Sequence, residues 1–415
     1  MIPYSELSKL IAQKGHTISF IYIPRNIDHL PKSRPLLNLA PFLNFVKIPL
    51  PHVEKLPKNA EATIDLPYEQ VKYLKLAQDE LKEPMAKFLE DSAPDFILFD
   101  FTSYWVPSIA SKFNIPTGYF SIFIAAYLGF TGPVPGLNNN YEIRMTMEEL
   151  TVSPKWVPFE TAVAFKEFEL LRIYEGCKDG EEENIYHVTR MYKTFENYDF
   201  LLVRSLVEDI HPKPVIPVGQ LPTTSYEDDD TNIDAWREIK LWLDKQEKGK
   251  VIYVAFGSKA KLRESDDEFI QLPERFEEPT KGRGIVYTSW VPQLKILSHD
   301  SVGGFLTHAG WSSVVEAIQF EKPLILLTFL VDQGINARLL KEKKIAYLIP
   351  GNDWDGSFTR DAVVESLSLV LIEKEGEIYR KKIKEVKNLC CDKKKKDKYV
   401  ENLLRFLQNY KKIKA

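Results

Sequence analysis

Cysteine is nearly missing from this 415-residue chain, which has three: Cys177, Cys390 and Cys391. Three is too few for a disulfide framework, two are neighbours, and none has metal-ligand spacing. The expectation is a protein of a reducing cytosol with no metal site. A basic surplus is missing too. Lys and Arg number 55 against 59 Asp and Glu, a net charge of −4, so no field for phosphate backbones exists and nucleic acid is excluded as a partner. No apolar run reaches bilayer length; the longest, 119–130, is interrupted by Ser121 and Gly129. No charged-then-apolar leader opens the chain, because Met1 to Tyr4 runs straight into an amphipathic helix pattern. What is present, 44% hydrophobic and 27% charged residues, is the mix of a globular protein. We expect a cytoplasmic monomer whose partners are small molecules.

The chain alternates helix-period and strand-period segments. Tyr4 to Lys14 reads as a helix stopped by Gly15, and His16 to Ile23 as a strand stopped by Pro24. Phe42 to Ile48 is a second strand. Pro67 to Leu89 reads as a long helix with a break or kink at Pro84. Asp95 to Asp100, Ile115 to Phe123 and Phe200 to Ser205 are further strands. A composition shift over 212–232, with prolines and Glu227-Asp-Asp-Asp230, predicts a linker. A second series follows: a helix from Trp236 to Gln246 and strands at Lys250–Phe256, Ile285–Trp290, Gly303–His308 and Pro323–Leu330. The pattern predicts an α/β protein of two Rossmann-like lobes facing a cleft, over 1–211 and 233–395, with a C-terminal helix over 396–415. Ligands belong in that cleft, at the carboxyl ends of the strands.

Chemistry-bearing residues are densest between Trp290 and Gln333. An apolar strand stops at His308, a turn with Gly310 follows, and a helix opens with Trp311, Ser312 and Ser313. Unpaired N–H groups and the dipole make such a helix start an anion seat, and the two hydroxyls can add bonds to phosphate. The competing reading of Ser313-Val-Val-Glu316 is an ordinary capping box. Around it, Trp290 ends the preceding strand, where it could stack on a base, and Asp332-Gln333 ends the following one, suited to hydroxyls. Each also has a plain alternative: core aromatic, core histidine, helix cap. In the first lobe, Asp100 ends an apolar strand, either as a site carboxylate or as a loop cap.

The 44-residue stretch from Trp290 to Gln333 resembles the signature of plant UDP-sugar-dependent glycosyltransferases, opening Trp290-Val-Pro-Gln293 and centring on His308-Ala-Gly-Trp311-Ser-Ser313-Val-Val-Glu316. The resemblance extends over nearly the whole chain, including Leu98-Phe99-Asp100-Phe101 and Phe256-Gly257-Ser258. It implies the two-lobed GT-B fold, an acceptor on the first lobe and a UDP-sugar co-substrate on the second, with no cofactor. By position it implies that Trp290 stacks on uracil, with the Val291 backbone and Gln293 beside base and ribose. Glu316 would hold the ribose hydroxyls. His308, Ser313 and Ser258 would contact the diphosphate beside Gly310 and Ser312, the last replacing the Asn of most members. Trp311, Asp332 and Gln333 would face the sugar. Asp100 would orient a base histidine during inverting transfer. Pro154-Lys-Trp-Val-Pro158, Tyr287-Thr-Ser-Trp290 and Asp332-Gln-Gly-Ile-Asn-Ala-Arg338 resemble most the group acting on flavonoid or triterpenoid glycosides, such as soyasaponin and rhamnosyl transferases.

Two departures set further expectations. The family's base histidine directly precedes the residues matching Met1-Ile-Pro-Tyr4, so it and the strand before it are expected to be absent from this chain. Between Ser258 and Leu272 stand 13 residues, mostly charged, where members place a helix and a strand. Each lobe is therefore expected to lack one strand, as a truncated or mis-spliced gene or a decayed copy would. The leading expectation is an inverting glycosyltransferase acting on a plant secondary metabolite; the alternative is a catalytically impaired nucleotide-sugar-binding remnant.

Overall fold

A computed structural model describes residues 2–28, 30, 39–67, 70–131, 146–157, 159–175, 187–204, 213–223, 233–257, 282–287 and 290–414. Ser258, Cys177 and the charged stretch after Ser258 lie outside these residues, and so does the expectation that the second lobe lacks a strand. None of the described helices is long and apolar enough to cross a membrane.

Helix α1 (Ile2–Ala12) leads into strands β1 (Ile18–Tyr22) and β2 (Leu43–Lys47), which pair in parallel. Helices α2 (Val71–Asp79) and α3 (Lys82–Ser92) replace the single long helix expected there. The break falls at Glu80 and Leu81 rather than at Pro84. Pro84 occupies the first turn of α3, where its missing N–H has no intrahelical partner to lose. Strands β3 (Ile97–Phe99), β4 (Thr117–Phe120), β5 (Phe200–Val203) and β6 (Val215–Pro217) form a parallel sheet in that order, with α4 (Glu167–Glu175) and α5 (His187–Glu196) preceding β5. Residues 215–217, inside the stretch read as a linker, are thus one edge strand of this sheet among the described residues.

The central strands β4 and β5 are buried on both faces, as the middle of a parallel sheet requires. Tyr119 and Leu201 point to one side, into a cluster with Phe99, Phe123 and Phe195. Phe120, Phe200 and Leu202 point to the other, against Leu7, Leu10 and Ile11 of α1. Among the described residues β1–β2 and β3–β6 are separate sheets. Helix α1 bridges them, because Ala12 and Tyr4 also pack with Phe20 and Leu43, and the Tyr4 hydroxyl donates to the Phe120 carbonyl at 2.8 Å.

The second lobe opens with α6 (Ile233–Leu243) and β7 (Val251–Ala255). Helix α7 (Gln293–Ser298), β8 (Val302–Thr307), α8 (Trp311–Gln319), β9 (Leu324–Leu326), α9 (Gln333–Glu342) and β10 (Ala346–Leu348) follow. Its parallel sheet runs β10-β9-β8-β7. Phe305, Leu324 and Leu326 meet Val314, Ala317 and Leu340 on one face; Leu306, Ile325 and Leu327 meet Val370 on the other. The expected strand at Ile285–Trp290 is corrected: 284–287 carry no strand, and 288–289 lie outside the described residues. Helices α10 (Glu377–Cys390) and α11 (Lys393–Lys414) end the chain. Helix α11 returns to the first lobe, where Val400 and Leu403 pack with Leu7, Phe120 and Phe200.

The lobes meet across α4 and α9. Arg338 donates to both carboxylate oxygens of Glu169, at 3.1 and 2.6 Å, in a largely buried pair. A bidentate fork of this kind fixes orientation as well as distance.

Candidate nucleotide-sugar site

The second-lobe site grows from the turn between β8 and α8. The chain leaves the sheet at Thr307, passes His308 and Ala309, and enters α8 with Gly310 at the N-cap position. The helix therefore starts before Ser313, which sits in its first turn. The capping-box reading fails for this reason: Ser313 is not the cap, and Gly310, which is, makes no side-chain cap bond. The first-turn N–H groups are left for a ligand, and the dipole there favours an anion. Ala309, fully buried, holds φ at +66°, a left-handed conformation that costs a non-glycine residue energy and tends to persist at functional turns. What holds it is Asn336, 0% exposed on α9, whose Nδ2 donates to the Ala309 carbonyl at 3.1 Å and to Asp332 Oδ2 at 2.8 Å.

His308 lies against backbone that carries no side chain. A Cβ on Gly310 would stand 2.4 Å from its Nε2, and one on Gly257, just beyond β7, 2.7 Å from its Cε1. Thr307 Oγ1 and His308 Nδ1 are 3.2 Å apart. Burial pushes the imidazole pKa below its usual value, against a smaller opposing effect of the Ala255 carbonyl, so the ring is neutral at neutral pH. A neutral ring carries a single N–H, the one that the Ala255 carbonyl accepts from.

Beside the turn, Gln293 at the start of α7 links three groups. Its Nε2 donates to a carboxylate oxygen of Glu316 and, at 3.4 Å, to Ser313 Oγ, while its Oε1 accepts from the Tyr253 hydroxyl at 3.4 Å. Glu316 is buried, and desolvation pushes its pKa up to about 7 against the opposing pull of Gln293 and Arg204. The Val291 side chain packs into the cluster of Ile239, Leu243 and Ile296. Trp290 stands out into solvent, 69% exposed, rather than at a strand end. Trp311 packs against the cores of both lobes and donates from its indole N–H to Gln220 Oε1 at 2.8 Å. Asp332 sits at the N-cap position of α9 without capping it; it accepts from Asn336 instead. Gln333 uses its Oε1 to accept from the backbone N–H of Phe329 and Leu330, at 2.9 and 3.0 Å.

Asp100 stands in the first lobe at the carboxyl end of β3. It caps the short turn Phe101–Ser103, accepting from the Thr102 N–H at 2.9 Å and from the Thr102 hydroxyl. That turn is braced from behind. Gln78 Nε2 donates to Thr102 Oγ1 at 2.8 Å, and Arg190 Nη1 donates to the Thr102 carbonyl at 3.0 Å. Arg190, 1% exposed, also forks onto both oxygens of Asp79 at 3.0 and 2.8 Å. Tyr22, at the end of β1, is 40% exposed as a residue; desolvation at its hydroxyl first and Asp100 second push its pKa up.

Sequence reasoning missed Asn336, Gln220, Arg190 and Arg204. Arg204 had a legible signal, since it is a charged residue ending an apolar strand, the same cue that singled out Asp100 and His308. The others act through contacts more than twenty residues away in sequence, for which no local pattern exists.

Comparison with known proteins gives three consistent results. The family described as UDP-glucoronosyl and UDP-glucosyl transferase matches residues 186–397. UDP-glycosyltransferase 91A1 of Arabidopsis thaliana is 44% identical, over 98% of this chain and 94% of its own length. Soyasaponin III rhamnosyltransferase of Glycine max is 36% identical, over 99% and 93%. Among solved structures, Glycyrrhiza uralensis UGT73P12 complexed with glycyrrhetinic acid 3-O-monoglucuronide superposes with a TM-score of 0.74 at 20% identity. That superposition covers 100% of this chain and 94% of the other and shows the same fold.

Proposed function

Because this chain belongs to the UDP-glucoronosyl and UDP-glucosyl transferase family and is a UDP-sugar glycosyltransferase of plant secondary metabolism, we propose that it moves a sugar from a UDP-sugar to a hydroxyl of a flavonoid or triterpenoid glycoside. Trp290 stacks on the uracil, Gln293 and Glu316 hold the ribose, and the diphosphate sits on the first turn of α8 beside His308, Gly310, Ser312 and Ser313. Trp311, Asp332 and Gln333 face the sugar, with Ser258 near the diphosphate. The observation that carries this reading is the uncapped start of α8, with His308 on one side and the Gln293–Ser313–Glu316 set on the other. It offers an anion seat and a carboxylate for hydroxyls within one helix turn of each other.

In the transfer, the acceptor oxygen bonds to the anomeric carbon as the bond to the diphosphate breaks, inverting the configuration. UDP leaves with the electron pair, and its new charge falls on donors already in place at the helix start, so no metal is required. The acceptor proton needs a base; the resemblance implies a histidine oriented by an aspartate, and Asp100, whose turn is held by Thr102 and Arg190, matches that orienting residue. A glycosylated acceptor is favoured by the likeness to a soyasaponin rhamnosyltransferase.

The test is calorimetry of UDP and uridine with native protein, His308→Ala and Ser313→Ala. Both variants are expected to weaken UDP several-fold and leave uridine unchanged, because the dipole and hydroxyls act on charge within about the first turn. Equal losses for the two ligands would remove these residues from the diphosphate. For the acceptor, UDP release is followed over a panel of flavonoid and triterpenoid glycosides and their aglycones. Turnover confined to aglycones would overturn the glycoside assignment.

A further inference from the structure

Among the described residues, Arg204 is a buried cation with two guanidinium nitrogens that hold nothing. Arg204 follows β5 at the carboxyl end of the first-lobe sheet and is 2% exposed. Its Nε and Nη2 are shut off from solvent and have no hydrogen-bond partner among the described residues. Arginine almost never lies buried in this way, since an unpaired charge out of water is costly. Burial lowers its pKa to about 10, with Asp332 and Glu316 opposing, which still leaves it protonated at neutral pH.

Its surroundings say what it is for. Arg204 lines a narrow cleft with Ser312 and Glu316 of α8 and with Gln220 and Thr223 of the segment between the lobes. Ser312 belongs to the first turn of α8, and Val315 and Glu316, one turn on, line the same cleft. Two independent devices for an anion, a helix start and a desolvated guanidinium, face one cleft from opposite lobes. Glu316 and Asp332 offset the guanidinium charge at a distance, but neither is hydrogen-bonded to Nε or Nη2.

We infer that Arg204 is a donor-binding residue supplied by the first lobe, its planar fork completing with the start of α8 the seat for the diphosphate of the UDP-sugar. The inference rests on the nucleotide-sugar reading above and adds to it. It makes the donor a bridge between the lobes, so that donor binding draws them together. It also places a cation where charge grows as UDP departs. Lysine would not serve equally, because the two unpartnered nitrogens form part of a planar fork suited to paired phosphate oxygens.

The test uses the full chain and compares native protein, R204M and R204K by calorimetry with UDP and uridine, and by thermal melting with and without UDP. For R204M, UDP affinity is expected to fall roughly 10–100-fold with uridine affinity unchanged, the size of a lost charge-assisted contact. Its melting temperature without ligand is expected to hold or rise, because an unpaired buried charge has been removed, while the shift produced by UDP shrinks. R204K, which keeps a cation but not the fork, is expected to lose UDP affinity to a smaller degree and to decide the matter if R204M does not fold. Undiminished UDP binding in the folded variants overturns the inference and leaves the nucleotide-sugar reading intact. So does an equal loss for UDP and uridine, or a lowered melting temperature without ligand and with UDP affinity unchanged, the mark of a structural cation. Failure of the native protein to bind UDP overturns both.

Discussion

The imidazole of His308 occupies the space where a side chain on Gly257 would stand: a Cβ there would lie 2.7 Å from Cε1 of the ring. Gly257 also holds φ at +76°, a conformation that side chains other than hydrogen resist. A glycine therefore stands just beyond β7 for two reasons, its own backbone and its neighbour's ring.

Gly257→Ala and Gly310→Ala should each displace His308, since the second would place a Cβ 2.4 Å from Nε2. A shift of about 1 Å at a reacting centre costs on the order of 10²-fold, so transfer should fall by roughly that factor. Steady-state kinetics check it. Full activity in both variants would show that the ring position is not critical.

Trp290→Ala should weaken UDP by roughly 5–150-fold, the worth of about 1–3 kcal/mol for one base stacked on an aromatic ring. The indole is 69% exposed, so a base can reach it, and whatever packing its loss removes shows in the melting temperature. Calorimetry and a melting curve on the same sample separate the two effects. Equal UDP affinity in the native and variant proteins would remove Trp290 from the base site.

Glu316 makes stability depend on pH. Its folded pKa of about 7 lies above the ordinary value of 4.5, so the folded protein holds this proton more tightly than the unfolded chain does. Unfolding releases a proton between those values, and stability falls as pH rises through that window. Glu316→Gln should flatten this part of the profile, giving a smaller loss of melting temperature from pH 4.5 to 7 than in native protein. UDP affinity of the native protein should gain from ionised Glu316 above about pH 7, a gain the Gln variant lacks. Parallel melting profiles for the two proteins would place the titration elsewhere.

Arg190→Met should destabilise the first lobe, by about 3–5 kcal/mol, because it leaves Asp79 buried without its charged partner, with the Tyr104 hydroxyl still beside it. It also releases the Thr102 carbonyl and so loosens the turn that Asp100 caps. Denaturant melts measure the loss. Removing both partners, as in Asp79→Leu with Arg190→Met, should recover part of the stability but not the position of Asp100, so transfer should stay low while the fold returns.

The amino-acid order by itself determined the alternation of strands and helices, the two α/β lobes and the set of strand-end residues from His308 to Glu316. These depend on periodicity and turn chemistry within ten or so residues, which any local window contains. It also pointed to Asp100, because a carboxylate ending an apolar run is visible without a fold. Tertiary structure alone decided the rest. The start of α8 one turn ahead of an apparent capping box depends on how Asn336 seizes the Ala309 carbonyl from another helix. The strand expected before Trp290 did not form over 284–287, although its residues suit one, because strand propensity yields to the packing available. Residues 215–217 joined the first-lobe sheet despite their linker composition, since β5 offered them an open ladder. Arg204 facing α8 and Arg190 bracing Asp100 are relations between segments about a hundred residues apart in sequence. They arise when buried faces are pressed together, and no local pattern encodes which polar groups then meet.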